Sequence, residues 1–128
     1  MMQKISVALA VFNEEDNLRN CLESVKAFAW EIIIVDGGST DKTLDVAKKF
    51  GAKVILANNP IVFHINKNIA IDAAIGDWIL QLDADEIVTD ELRKEIIEKI
   101  LEWQKNIFKN AWILLLMIIP LNGQGILC

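Results

Sequence analysis

Ile32-Ile33-Ile34-Val35 runs straight into Asp36-Gly37-Gly38-Ser39-Thr40. A continuous β-branched run of this kind reads as a strand covered on both faces, as in a parallel sheet. Asp36 to Thr40 is a turn, and the chain after it leads into a helix that ends near Gly51. One strand, one turn and one helix make a β-α unit. The question for the rest of the chain is whether that unit repeats.

It does, on both sides. Upstream, Ile5 to Val11 is a short apolar run, and Leu18, Cys21, Leu22, Val25 and Phe28 then recur at helical spacing, with Asn13 as the expected N-cap. Downstream, Lys53 to Ala57 reads as a third strand. Ile65 to Ile75 reads as a helix closed by Gly76, with Ile65, Ile69 and Ala73 on one face. Trp78 to Leu82 is a fourth strand. Thr89 is placed to cap a long helix carrying Leu92, Ile96, Ile97, Ile100 and Leu101, with Glu95 and Lys99 paired one turn apart on its wet side. The connection from Asn58 to His64, with Pro60 inside it, is the one expected to be irregular. No internal repeat or low-complexity segment interrupts the series.

Strands alternating with helices in this way predict an α/β fold: a mostly parallel sheet with right-handed crossovers and helices on both faces. In such sheets ligands bind at the carboxyl ends of the strands. Three polar clusters fall at those ends. Phe12-Asn13-Glu14-Glu15 follows the first strand, Asp36 the second, and Asp83-Ala84-Asp85 the fourth.

Composition narrows the function. At 128 residues and 53% hydrophobic content, the chain can bury one core. Its formal net charge of -5, with no basic face, argues against sequence-independent nucleic-acid binding, which needs clustered Lys and Arg to replace counterions. Cys21 and Cys128 are the only cysteines, and Cys21 falls on an apolar helical stripe, so a disulfide framework is not expected and a reducing cytoplasm fits. The first strand starts too near the N-terminus to leave room for a secretory signal. The apolar run Ala111 to Ile119 is too short to cross a bilayer as a helix.

Two carboxylates at i and i+2 on a turn, Asp83 and Asp85, can both reach one hard divalent cation. Mg²⁺ or Mn²⁺ bound that way commonly completes its shell with water and substrate phosphates. An acidic chain needs such a cation, or backbone donors, to hold an anionic nucleotide. The plainer alternative is a pair of solvated loop charges beside Glu86. Asp36, followed by two glycines, can accept hydrogen bonds from a base N–H or a ribose hydroxyl, or it can simply cap its own turn. Asn13, Glu14, Glu15 and Asp16 also fit a helix start, where acidic groups complement the dipole. Lys67 can meet a phosphate or a base oxygen, or stay solvated. His64 is the only histidine, which leaves almost no material for Ser/His or Cys/His nucleophile schemes.

Taken together, Val11-Phe12-Asn13-Glu14-Glu15, Ile34-Val35-Asp36-Gly37-Gly38-Ser39-Thr40-Asp41, Asn66-Lys67-Asn68 and Leu82-Asp83-Ala84-Asp85-Glu86 resemble the serial motifs of family 2 glycosyltransferases. The set is closest to the branch of lipopolysaccharide-core β-1,4-glucosyltransferase-like proteins. It covers roughly residues 3 to 100. The resemblance implies the nucleotide-binding half of a GT-A fold, in which a nucleotide-diphosphate sugar lies at the carboxyl rim. By position it implies that Phe12, Asn13 and Glu14 line the nucleoside pocket and that Asp36 contacts the uracil or ribose. Asp83 faces the ribose and the metal, and Asp85 ligates the metal at the diphosphate. Lys67 stands where the family usually has Arg, so a point-like contact replaces a planar fork. The implied reaction is inverting transfer from a UDP-sugar to a saccharide or lipid-linked acceptor, with a carboxylate base that the resemblance does not locate in this chain.

The resemblance stops after the helix that follows Asp85. Family members continue through acceptor-binding strands and the base, whereas Lys109-Asn110-Ala111-Trp112 opens an apolar tail. The expected organisation is therefore a nucleotide-sugar-binding half over 1–108 and a tail over 109–128, as an extra strand or the aberrant end of a truncated or frame-shifted product. Exposed apolar surface on that tail would favour self-association or peripheral attachment at the inner face of a membrane. Two other functions fit parts of the pattern: a non-catalytic nucleotide-sugar-binding fragment that lacks the base, and a phosphotransferase of the haloacid dehalogenase type. In the latter the Asp-x-Asp pair ends the first strand, and here it ends the fourth.

Overall fold

The computed structural model of the chain describes residues 3–57 and 63–106 in full and 125–127 as backbone. The elements in chain order are β1 (Ile5–Val11), α1 (Glu15–Val25), β2 (Glu31–Asp36), α2 (Thr43–Lys49), β3 (Lys53–Leu56), α3 (Phe63–Ala73), β4 (Trp78–Gln81), α4 (Asp90–Asn106) and β5 (Gly125–Leu127). The strands form one sheet in the order β3-β2-β1-β4-β5, and every pairing is parallel. This is the α/β architecture that the alternation predicts.

Because strand side chains alternate, each strand feeds two cores. Ile5, Val7, Leu9 and Val11 of β1, with Ile32 and Ile34 of β2 and Trp78 and Leu80 of β4, pack against α1, α2 and α4. Ala8, Ile33, Val35 and Ile79 face the other way, toward Ala70 and Ala74 in and just after α3. Helices therefore cover both faces, and the small residues on the second face let α3 lie close to the sheet. β2 is buried on both sides from Ile32 to Asp36, which accounts for its unbroken apolar sequence.

The chain steps outward from β1 to β2 to β3, then crosses through α3 to the other side of β1. That reversal opens a crevice at the carboxyl ends of β1 and β4, the place where open α/β sheets hold ligands. Register continues into the loops on both sides of β1. Gly37 N–H donates to the Val11 carbonyl (2.9 Å) and Leu82 N–H to the Ala8 carbonyl (3.1 Å). The segments after β2, β1 and β4 are thus held side by side.

Several sequence expectations change in detail. Asn13 is not the N-cap of α1: Glu14 occupies that position without a side-chain capping bond, and Asn13 has a positive φ of 51°. The fully buried residues of α3 are Asn66 and Ala70; Ile69 and Ala73 pack on the same core partly buried, as expected, while Ile65 is exposed. α3 ends at Ala73, short of Gly76. On α4 only Ile96 and Ile100 are buried, and Lys99 pairs with Glu102 (3.4 Å) in place of Glu95. Thr89 does cap α4, accepting from Leu92 N–H at 3.1 Å. The outer edge of β4 is covered by Gly125–Leu127 of the tail, which pairs with it in parallel. Ala111 to Ile119, and Asn58 to Val62 of the irregular connection, lie outside the described residues.

Candidate functional site

The turn after β1 and the turn after β2 hold each other through reciprocal side-chain to backbone bonds. Asn13 Oδ1 accepts from the N–H groups of Thr40 (2.8 Å) and Asp41 (3.4 Å), and Ser39 Oγ accepts from Asn13 N–H at 2.8 Å. One residue on, Thr43 Oγ1 accepts from Glu14 N–H at 2.8 Å. Asp41 Oδ2 accepts from Glu15 N–H at 3.3 Å, and Glu15 Oε2 accepts from Lys42 N–H at 3.0 Å. The left-handed backbone at Asn13 suits this arrangement, since Asn tolerates that conformation better than most residues. These bonds account for most of both motifs. Asn13, Glu15, Ser39, Asp41 and Thr43 build the wall of the crevice, and they do so by satisfying backbone groups that a short loop would otherwise leave open.

Asp36 is 1% exposed at the end of β2. Its Oδ2 accepts from Gly38 N–H (3.0 Å) and Ser39 N–H (2.9 Å), and its Oδ1 accepts from the Ser39 hydroxyl (2.5 Å). The turn-capping role weighed from sequence is therefore real, and Gly38 at φ 98° is the residue that allows it. Partial burial would raise the Asp41 carboxyl. The Thr43 hydroxyl, the Thr43 N–H and the Glu15 N–H outweigh it and hold that group below the usual carboxylate range.

After β4 the chain makes a second closed turn. Glu86 Oε2 accepts from Asp83 N–H at 2.8 Å, and Glu86 N–H donates to the Asp83 carbonyl at 3.0 Å. Ala84 is buried within the α1/α4 core, which anchors the middle of the turn and leaves Asp83 half-exposed and Asp85 exposed. Lys67 of α3 reaches over the rim to Asp83, Nζ to Oδ1 2.6 Å. So the structure brings Lys67 and Asp83 together and keeps Asp85 in the same turn. Phe12, Asn13 and Glu14 lie on the neighbouring loop, at the end of β1. An open cavity of about 630 Å³ lies on the α4 side of the turn, lined by Lys67, Leu82, Asp83, Glu86, Leu92 and Ile96 among others; Phe12, Asn13, Glu14, Asp36 and Asp85 do not line it.

Beneath this turn lies Cys21, fully buried and reduced. Its thiol faces the Asp83 carbonyl oxygen, Sγ to O 3.7 Å. Burial first, then the nearby Glu86, Asp85 and Asp83 carboxylates, push the thiol up from 9.0 to about 12. A thiol that keeps its proton in the folded state and loses it in the unfolded state penalises folding only in alkali. Its contribution is intact below pH 9 and erodes as pH rises toward 12. Denaturant midpoints measured between pH 8 and 11 should fall, and the Cys21→Ala variant should fall less steeply; equal slopes would mean that other groups carry the alkaline loss.

Among the described residues no three His, Cys, Asp or Glu side chains form a cluster able to hold a metal by themselves, and no helix is long and apolar enough to cross a membrane.

Comparison with known proteins supplies the next step. Residues 6–110 match the family model described as glycosyl transferase family 2. An uncharacterized glycosyltransferase of Rickettsia typhi (strain ATCC VR-144 / Wilmington) is 41% identical over 96 residues, covering 74% of this chain and 32% of that protein. The uncharacterized glycosyltransferase YibD of Escherichia coli (strain K12) is 29% identical over 106 residues, covering 77% of this chain and 31% of that protein. The crystal structure of S. aureus TarS 1-349 superposes with a TM-score of 0.70 at 28% identity, covering 79% of this chain and 33% of that one. Glucosyl-3-phosphoglycerate synthase from Mycobacterium tuberculosis, solved with Mn²⁺ and UDP-glucose, superposes with a TM-score of 0.53 at 28% identity, over 66% of this chain and 34% of that one. The chain thus spans about a third of the length of these relatives.

Proposed function

The chain belongs to glycosyl transferase family 2, and from that premise we propose that residues 1–108 form the half of a GT-A domain that binds a UDP-sugar, with 109–128 as an appended tail. The protein carrying this half transfers the sugar to a saccharide or lipid-linked acceptor. The observation that supports this best is the convergence of Phe12 to Glu14, Asp36 and Asp83 to Asp85 at the carboxyl ends of three adjacent parallel strands, around the crevice where strand order reverses.

Phe12, Asn13 and Glu14 line the nucleoside pocket in this reading. Asp36 fixes the turn beside it and has about one acceptor position left for the uracil or ribose, since a carboxylate can accept about four hydrogen bonds and three are used by the turn. Lys67 neutralises Asp83 without a nucleotide and is close enough to the rim to meet a phosphate or base oxygen when one arrives. A divalent ion fits this donor set. Asp83 and Asp85 are hard oxygen ligands on one turn, with Ala84 directed into the core between them, and two protein ligands suit an ion that takes the rest of its shell from water and diphosphate. Bound there, Mg²⁺ or Mn²⁺ would supply Lewis-acid neutralisation of the departing diphosphate. The neighbour solved with Mn²⁺ and UDP-glucose supports that choice of ion and donor class.

Glucose as the sugar, a lipopolysaccharide-core acceptor and inversion at the anomeric carbon are the finer parts of the proposal, supported by the order of the four motifs; a cytoplasmic location is proposed with them from the cysteine usage. Calorimetric titration of UDP into the 128-residue chain, with and without Mn²⁺, tests the donor half directly. Saturable binding that requires Mn²⁺ is the expected result. A folded chain that binds no UDP in either condition would refute it, and binding without sugar transfer to any added acceptor would identify a non-catalytic nucleotide-sugar-binding fragment.

A further inference from the structure

The Asp83 turn is held from below by the last two turns of α1, which lie away from the residues assigned to the ligand. Ser24 of α1 accepts from the Val88 N–H at 3.0 Å, and its own hydroxyl donates to the Cys21 carbonyl at 2.6 Å. One turn earlier on the same face, the Cys21 thiol meets the carbonyl of Asp83 at 3.7 Å. The two contacts fall at the two ends of the segment from Asp83 to Val88, and Ala84 and Val88 between and beside them are packed into the same core as Leu18, Cys21 and Leu22. At its other end α1 is preceded by its N-cap Glu14, whose N–H is held by Thr43, and begins at Glu15, which is bonded in both directions to the β2–α2 loop.

We propose that α1 is a rigid strut that sets the separation between the nucleoside wall and the acidic turn, and that Ser24 is the positioning residue at its lower end. This rests on the donor-site reading given above. The physical argument is one of reach. A metal ion bridging a carboxylate and a diphosphate tolerates displacements of a few tenths of an ångström, because the ligand shell is short and fixed in length. Asp83 and Asp85 lie on a turn whose own closure, Asp83 to Glu86, fixes its shape but not its place on the rim. Its place is fixed in part by the sheet, through Leu82 N–H on the Ala8 carbonyl, and beyond that by three side chains: Lys67 from the α3 side, and Cys21 and Ser24 from the α1 side. Of the three side chains, Ser24 makes the shorter of the two uncharged contacts and is remote from the ligand, so its loss should alter geometry without altering charge.

The test is the Ser24→Ala variant of the whole chain, read in two ways. Amide hydrogen exchange at Val88 should accelerate about tenfold, the factor expected from one lost hydrogen bond of ordinary strength. UDP affinity in the presence of Mn²⁺ should fall by a similar factor, about tenfold, while any UDP affinity without metal stays as in the parent chain. Ser24→Thr, which keeps the hydroxyl, should restore both. Parent-like Mn²⁺-dependent affinity in Ser24→Ala overturns the positioning role, and so does equal loss of metal-free and metal-dependent binding, which marks a merely structural residue. If the parent chain binds no UDP with Mn²⁺, the donor-site reading fails and takes the positioning role with it. Val88 exchange then still reports separately whether Ser24 holds the turn.

Discussion

Asp85→Ala is expected to abolish the metal dependence of UDP binding, lowering affinity in Mn²⁺ by about 100-fold or more, since losing even an outer-shell partner of a metal site costs 10–100-fold. Stability should barely change, within about 0.5 kcal/mol, because Asp85 is exposed and contributes nothing to either core. Asp83→Ala is a different experiment. Asp83 carries the ion pair to Lys67, so its removal frees a cation at the rim as well as deleting a ligand. Metal-free UDP affinity should then rise or hold in Asp83→Ala, as Lys67 becomes available to the diphosphate, while it stays constant in Asp85→Ala. Titrating both variants with and without Mn²⁺ separates the two roles. Unchanged Mn²⁺-dependent affinity in Asp85→Ala would remove Asp85 from the metal site and leave the Asp-x-Asp pair as solvated turn charges.

The order of elements was legible because each strand and helix states its burial locally. Ile32 to Val35 must be covered on both faces, and Leu18, Cys21, Leu22 and Val25 must face a core. Placement of the three clusters on one rim followed from the alternation alone. What sequence did not reveal is why the motifs contain the residues they do. Asn13 looks like a helix cap when its neighbours are Glu14 and Glu15, yet its partners, Thr40 and Asp41, are 27 and 28 residues away. The same applies to Ser24, whose partner Val88 is 64 residues downstream, and which no local pattern singles out. Ala84 carried a signal that could have been used: a small apolar residue between two aspartates, directly after a buried strand, is placed to turn inward and present its neighbours outward. On α3 the apolar spacing locates the face in part: Ile69 and Ala73 pack on the second core, but Ile65 is exposed and the deepest positions are Asn66 and Ala70, one residue round the helix. The phosphotransferase reading of Asp-x-Asp is displaced by the family match over residues 6–110.

Gly76→Ala is expected to destabilise the chain by about 1–3 kcal/mol, the usual range for overpacking a site that cannot yield. A Cβ at position 76 would lie 2.8 Å from the Lys4 carbonyl oxygen and 3.1 Å from the Ser6 nitrogen, and closer still to the Ser6 hydroxyl. None of these neighbours is free to move. The Lys4 carbonyl accepts from Asp77 N–H (2.7 Å) and Trp78 N–H (3.0 Å), which starts the β1–β4 pairing. The Ser6 hydroxyl accepts from Gly76 N–H (2.9 Å) and donates to Glu31 (2.5 Å), which in turn accepts from Ile75 N–H (2.7 Å). This network, buried at Ser6 and Gly76 and open at Glu31, joins the starts of β1, β2 and β4, so a push at Gly76 is felt across the amino ends of three strands, opposite the rim. A thermal melt should show a midpoint lower by on the order of 5–10 °C for a chain of this size. Adding Ser6→Ala should recover only part of the loss, because the hydroxyl leaves but the Lys4 carbonyl stays, and Gly76 N–H and Glu31 lose their shared partner. UDP affinity of the folded fraction should be unchanged, since the substitution lies at the far end of the sheet from Asp36 and Asp83. A Gly76→Ala chain that melts with the parent would mean that β1 and the α3–β4 turn are not in this contact, and that the register of β4 against β1 is set elsewhere.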